Sequence, residues 1–303
     1  MLGAVSADGR FAPSPSGPLH LGNLRTALLA WCFARSAEGR FLLRIEDLDP
    51  QRSRPEHEAG ILVDLERIGL DWDGEPVRQS DRAPAHRVAF EAMRAGGRLY
   101  RCWCTRAEIR EAASAPHGPG GAAYPGTCRQ LVAAAIARRE RDGRPPAWRV
   151  DAGGRRVSFV DELHGEIDAA VDDFVVWRDL DGLAAYNLAV VVDDAADGVG
   201  EVVRGDDLLD TTPRQILVAE LLGLPAPAYA HVPLVLGADG ARLAKRHGAV
   251  TLDERLALGE SSEEVVGRLA ASAGLAEAGA RLTAADVLKS FDRRLLSREP
   301  VLL

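Results

Sequence analysis

Apolar and polar positions follow one another in the first hundred residues as strand, helix, strand, helix. Arg10–Pro13 predicts a short strand, and from His20 to Ala37 apolar residues recur at helical spacing until the pattern ends near Gly39. Phe41–Ile45 is a run of apolar residues containing Arg44, which predicts a buried strand. Glu56–Ile68 is helical and stops at Gly69; Ala85–Ala95 is helical and stops at Gly96-Gly97. That alternation predicts an α/β chain with a mostly parallel, doubly wound sheet.

Leu99–Gln130 breaks the alternation with three of the four cysteines and a Gly/Pro/Ala-rich loop around 114–123. Short strands are expected over Arg149–Val176, an apolar strand over Tyr186–Val192, and another over Glu201–Arg204. Thr211–Leu222 predicts an amphipathic helix, capped by Asp210 or Thr211 and closed by Gly223. His231–Leu236 predicts a further strand, and Leu252–Leu296 is helical before a short tail. No internal repeat is seen.

Composition narrows the class. The 303 residues are 47% hydrophobic and 27% charged, a globular balance long enough for about two domains. No apolar run reaches the roughly 20 residues that span a bilayer, and residues 1–9 lack the basic start and apolar core of a secretory signal. A cytoplasmic protein with no membrane partner is expected. The net charge of −8 requires any nucleic acid to meet a local basic stripe. Two clusters offer one: Arg94, Arg98, Arg101, Arg106 and Arg110, and Arg129, Arg138, Arg139, Arg141, Arg144 and Arg149. All but two of the 37 basic residues are arginine, so Lys245 and Lys289 stand out: a compact ammonium differs from a planar guanidinium.

Candidate chemistry concentrates in three places. Phe11-Ala12-Pro13-Ser14-Pro15-Ser16-Gly17-Pro18-Leu19-His20-Leu21-Gly22-Asn23 joins a strand to a helix through a Pro/Gly-broken turn. Such a corner offers free backbone N–H groups and a positive helix end to an anion. Gly22 permits close approach, and His20 and Asn23 carry hydrogen-bond donors for phosphate oxygens. The basic turn Arg242-Leu243-Ala244-Lys245-Arg246 follows a strand and Gly237-Ala238-Asp239-Gly240. Cys102-Trp103-Cys104 followed by Cys128 supplies three thiolates for tetrahedral zinc, with a fourth donor still required; His117, inside the loop, or water could serve. Disulfides compete with that reading, but a cytoplasmic compartment and the Cys-x-Cys spacing disfavour them. Cys32 reads as a plain buried thiol.

The corner resembles the first signature of class I aminoacyl-tRNA synthetases in its glutamate-specific form, and Arg242–Arg246 resembles the second, in the same chain order. The resemblance covers about Arg10 to Leu256. It implies a Rossmann-like doubly wound parallel sheet with a zinc-containing insertion and a small C-terminal helical region. The segments would be 1–98, the first half of the catalytic domain; 99–185, the zinc-bearing, acceptor-type insertion; 186–250, the second half with the basic loop; and 251–303, helical. It implies catalytic roles for His20 and Lys245, ATP binding with Mg2+ by His20, Gly22, Asn23, Arg242 and Lys245, and L-glutamate binding by Arg10, Ser14, Glu46, Tyr186 and Arg204. It also implies zinc bound by Cys102, Cys104, Tyr124 and Cys128. Arg242, Ala244 and Arg246 depart from the second signature; both basic positions keep their charge, and Ala244 lacks a hydroxyl.

The chain ends roughly 60 residues after the second signature, short of a large anticodon-reading region. Val190 stands where full-length glutamyl enzymes tend to carry Asn. Both departures fit the truncated branch of the family, which activates glutamate without tRNA and esterifies queuosine at the wobble position of tRNA(Asp). The implied partners are L-glutamate, ATP and the tRNA(Asp) anticodon loop, met by a monomer.

Overall fold

The computed structural model describes residues 7–105, 107–109, 124–237, 239–241, 243, 248 and 250–302. The expected alternation opens the fold. β1 (Gly9–Phe11) pairs in parallel with β2 (Phe41–Ile45), which pairs in parallel with β3 (Val77–Arg78). Helices α1 (Leu21–Ser36), α2 (Pro55–Arg67) and α3 (Ala83–Ala95) alternate with the strands. On α1, Leu21, Leu24, Ala27, Leu28, Leu29, Trp31, Cys32 and Phe33 are all buried, too many for a single stripe. A helix apolar all round needs cover on several sides. The sheet lies on one side of α1, and α8 (Ser262–Ser272) and α9 (Ala284–Lys289) touch another. Phe33 meets Phe291 edge-on there, centroids 5.3 Å apart.

β4 (Leu99–Cys102), β5 (Ala147–Val150), β8 (Val175–Arg178) and β9 (Leu183–Ala184) form a separate antiparallel sheet, with α4 (Ala133–Arg141) between β4 and β5 in the chain. Its core stacks Phe90 on Trp177 at 4.6 Å. β6 (Arg156–Asp161) and β7 (Gly165–Ala170) make a hairpin whose first strand joins the edge of β11 (Ala228–Val232) at Asp161. β11 in turn pairs in parallel with β10 (Glu201–Gly205). Backbone N–H groups of Gly200 and Glu201 donate to the Asp8 carbonyl, which brings β10 alongside β1. The carboxyl ends of β1 and β10 are therefore neighbours, the place where open α/β sheets bind ligands.

Three sequence expectations are corrected. Tyr186–Val192 is the start of a helix, α5 (Tyr186–Asp197), not a strand. A short apolar run does not distinguish a buried strand from a buried helix, and this one continues through buried Asp193 and Asp194 to Gly198, left-handed at φ 71°. Thr211 stands at the N-cap of α6 (Thr212–Leu222), one of the two residues expected there, but it makes no side-chain cap: its hydroxyl donates to Leu208 O instead. Gly223 does close the helix in the left-handed conformation. The strand expected over His231–Leu236 is divided at Pro233, giving β11 and β12 (Val235–Leu236). Proline has no N–H for a ladder, and the Pro233 carbonyl turns to accept from buried Arg25 at 2.6 Å.

After the basic loop, α7 (Leu252–Ala257), α8 and α9 form the helical region, and the tail adds β13 (Val301–Leu302) in parallel to β12. Capping boxes at Thr251, Ser261 and Thr283 fix the three helix starts. Cys32 is fully buried and its thiol is pushed up to about 12 by that burial, which suits an inert core residue. Among the described residues no helix is long and apolar enough to cross a membrane.

Candidate active site

The corner after β1 is built on a reciprocal cap. His20 is the N-cap of α1: its Nδ1 accepts from the Asn23 backbone N–H at 3.2 Å, while Asn23 Oδ1 accepts from the His20 N–H at 3.3 Å. With Nδ1 accepting, the neutral ring carries its proton on Nε2 and is a donor there. Gly22 explains itself sterically. A Cβ at that position would lie 3.0 Å from Cε1 and Nδ1 of the His20 ring. The imidazole occupies the space that glycine leaves, so any side chain there would displace it. The backbone N–H of Leu21 donates to Val250 O at 2.7 Å, which ties the corner to the far end of the basic loop.

A cavity of about 580 Å3 opens beside this corner. Arg10, Ser14, His20, Gly22, Asn23, Glu46, Tyr186 and Arg204 all line it, so the eight described residues expected to bind ATP or glutamate come together. Arg242 and Lys245 lie outside the described residues, as does His117. Leu243, next to Arg242 in the chain, does line the cavity.

Two buried electrostatic systems set the character of the pocket. In the first, Asp194 on α5 accepts from Arg44 at 2.7 Å and from Arg10 at 3.4 Å. Burial opposes the charge of Asp194, but Arg44 and Arg10 outweigh it and hold the carboxyl below the usual carboxylate range. Glu46 sits 3.5 Å from the same Arg44. Here burial prevails over Arg44 and Arg10 and raises its carboxyl. Its N–H donates to Pro13 O, joining the end of β2 to the corner.

The second system surrounds Arg204, which is 5% exposed. Nε donates to His231 Nε2 at 3.0 Å, NH2 to Thr212 Oγ1 at 2.8 Å and NH1 to Tyr186 Oη at 3.3 Å. All three acceptors are neutral. Burial raises the Tyr186 phenol, keeping it protonated. Among the described residues no carboxylate pairs with Arg204, whereas Arg10 and Arg44 both meet Asp194. A guanidinium has five N–H groups, so one on each terminal nitrogen is left for a bidentate anion. The cavity thus offers a cation with no carboxylate bonded to it among the described residues, and an acid, Glu46. This pairing suits a zwitterion whose side chain is itself acidic.

A different site lies on the β4 side. The sulfurs of Cys102, Cys104 and Cys128 lie within 4.8 Å of one another, with Cys104 and Cys128 3.5 Å apart. Tyr124 Oη sits 3.4 Å from Cys102 Sγ and 3.6 Å from Cys104 Sγ. Four donors on a zinc ion at about 2.0–2.3 Å would have edges of roughly 3.5–3.8 Å, so the donor set fits a tetrahedral metal. The Arg149 guanidinium lies 3.9 Å over the Tyr124 ring, a cation placed to balance thiolate charge. The cluster could hold a metal ion.

The pattern described as tRNA synthetases class I (E and Q), catalytic domain, matches residues 7–295. The chain belongs to that family. The fold of these class I synthetases, a mixed α/β arrangement with a parallel sheet, is the one found here. A protein of Nocardia farcinica named glutamyl-Q tRNA(Asp) synthetase is 56% identical over 299 residues, which cover 99% of this chain and 94% of that one. A protein of the same name from Symbiobacterium thermophilum is 51% identical, with 97% and 94% covered. Among solved structures, a glutamate tRNA ligase from Elizabethkingia meningosepticum in complex with its amino acid aligns with a TM-score of 0.82 at 26% identity. It covers 98% of this chain and 67% of that one.

Sequence reasoning missed the residues that hold the pocket side chains: Arg44 and Asp194 on one side, Asp161, His231 and Thr212 on the other. The available signal was a charged or imidazole side chain inside an apolar run, as in Phe41–Ile45, Leu188–Asp194 and Ala228–Val232.

Proposed function

We propose that this chain activates L-glutamate with ATP in the absence of tRNA and transfers the glutamyl group to queuosine at the wobble position of tRNA(Asp). The observation that carries the glutamate half is Arg204: a buried guanidinium with no acid partner among the described residues, facing the same cavity as Glu46 and the nucleotide-type corner. Arg204 would take the γ-carboxylate through its two remaining N–H groups, and Glu46 would take the α-ammonium. A neutral glutamine amide would leave the guanidinium unneutralised. Arg10, Ser14 and Tyr186 complete the amino-acid pocket.

Activation is an in-line displacement. A glutamate α-carboxylate oxygen attacks the α-phosphorus of Mg2+-bound ATP, the bond to the bridging oxygen breaks, and pyrophosphate leaves. His20, Gly22 and Asn23 would hold the nucleotide by Nε2–H and backbone donors at the head of α1, with Arg242 and Lys245 meeting charge that develops on the phosphates. In the second step a hydroxyl of the queuosine cyclopentenediol attacks the acyl carbon, AMP leaves and the hydroxyl proton passes to solvent or phosphate. No covalent enzyme intermediate is needed. The names of the relatives at 56% and 51% identity support the acceptor. We further infer a cytoplasmic monomer.

With L-[14C]glutamate, ATP and Mg2+, label is expected to enter tRNA(Asp) that carries queuosine and not the same tRNA with guanosine at the wobble position. Equal labelling of both would favour the second reading, charging of a tRNA 3′ end, which the likeness to the glutamate tRNA ligase keeps in view.

The Cys102, Cys104, Cys128 and Tyr124 cluster would hold one structural zinc. Metal analysis of the purified protein is expected to give about one zinc per chain, and Cys128→Ser is expected to lose most of it and to unfold at lower temperature, since metal binding to such a site is coupled to folding. Undiminished zinc in the variant would remove the assignment.

A further inference from the structure

We propose that Asp161, His231 and Thr212 are the positioning residues of the Arg204 anion site, a cradle that fixes its guanidinium through neutral acceptors while leaving its charge unspent. The inference deepens the glutamate-pocket reading above and rests on it.

Its geometry begins at Asp161, fully buried where β6 meets β11. The carboxylate accepts from the backbone N–H groups of Leu163, His164 and His231 and, at 2.6 Å, from the His231 ring at Nδ1. Burial opposes its ionisation; the hydrogen bond from His231 and those from the backbone prevail and hold it below the usual range. Because an ionised carboxylate only accepts, His231 must carry its proton on Nδ1. The Nε2 lone pair then faces Arg204 Nε at 3.0 Å and the Thr212 hydroxyl at 3.1 Å, and Thr212 Oγ1 accepts from Arg204 NH2 at 2.8 Å. His231 is buried, and that burial, together with the Arg204 cation, holds its imidazole below the ordinary value against the pull of Asp161, so the ring is neutral at pH 7.

The arrangement matters because the simplest way to fix a buried arginine is a carboxylate, as Asp194 does for Arg10 and Arg44. A carboxylate on Arg204 would neutralise it and compete with an anionic ligand. Interposing a neutral imidazole keeps the negative charge of Asp161 one ring away and spends it on four donors of its own. Arg204 is left fixed in direction and unneutralised, which a site selecting an acidic side chain over its amide requires. Asp161 comes from the hairpin that borders the outer edge of β11, so the pocket depends on a segment that contributes no residue to its wall.

Two measurements test the proposal. In protein labelled with 15N at histidine, the His231 ring at pH 7 should show a protonated Nδ1 and an unprotonated Nε2; an imidazolium or an Nε2–H ring would overturn it. In glutamate-dependent ATP–pyrophosphate exchange, His231→Leu and Thr212→Val should raise the KM for glutamate, the first by about tenfold or more, with the KM for ATP within twofold. His231→Gln, which restores a neutral acceptor, should recover part of the loss. If His231→Leu folds poorly, Thr212→Val, nearly isosteric, gives the same comparison. An unmoved KM for glutamate in an active enzyme would refute the cradle and leave the glutamate reading intact. A wild-type protein that shows no exchange with glutamate would refute that reading instead, while the ring tautomer would still decide whether the cradle exists.

Discussion

Arg204→Gln is expected to lower kcat/KM for glutamate in ATP–pyrophosphate exchange by about two to three orders of magnitude, the consequence of removing one partner of a buried charge pair at about 2–5 kcal/mol. The expectation follows from what Arg204 does not touch. Its three internal bonds go to an imidazole, a hydroxyl and a phenol, so the ligand carboxylate would be the one acid bonded directly to it among the described groups. A glutamine side chain can keep one of those bonds and none of the charge. The KM for ATP should change little, because Arg204 lies at the β10 side of the cavity while the nucleotide corner is at α1. A loss confined to kcat, with the KM for glutamate unchanged, would contradict the assignment.

The second large effect concerns stability. Asp194→Ala is expected to cost about 3–5 kcal/mol, read as a lower denaturant midpoint, because it leaves buried guanidinium groups without their shared acid. Arg44 is only 1% exposed, and its shortest contact is the 2.7 Å bond to Asp194. The next distances, to Asp197 at 3.4 Å and Glu46 at 3.5 Å, are poorer substitutes. The pH dependence has a definite sign. Arg44 and Arg10 depress the Asp194 carboxyl in the folded state, so its contribution is fully present above the ordinary aspartate value near 3.9 and fades as pH falls towards the folded value. The stability gap between wild type and Asp194→Asn should therefore be constant from pH 5 to 8 and narrow below about pH 4. A gap that widens in acid would show that the carboxylate is not paired as described.

What was legible in the chain was local. The corner from Phe11 to Asn23 carries its own caps and turns, and Phe41–Ile45 is bounded by its own apolar pattern, so both stand in the fold where the sequence put them. Cys102 and Cys104 sit at the end of β4, and Cys128, 24 residues after Cys104, returns to meet them before α4 begins. The Tyr186 helix was misjudged because a mostly apolar run of seven residues, broken only by Asn187, suits either a strand or a helix when both faces are covered, and only the packing of α5 between α3 and α6 decides it. The electrostatic supports were illegible for a different reason. Arg44 and Asp194 are 150 residues apart, and Asp161 and His231 are 70 apart. No spacing rule links such pairs; an isolated charge in an apolar run indicates that a partner exists without saying which one. Glu46, Tyr186 and Arg204 were reached by family likeness, and their convergence on one cavity is a property of the sheet, which brings the ends of β1, β2 and β10 together.

The central claim is that the chain by itself builds a complete glutamyl-adenylate site. The most direct measurement is ATP–pyrophosphate exchange with the purified protein, Mg2+ and no tRNA. Exchange that depends on L-glutamate and is at least about a hundredfold weaker with L-glutamine is the predicted result, given the discrimination a buried charged partner provides. Exchange that appears only after tRNA is added, or that proceeds equally with glutamine, would contradict it.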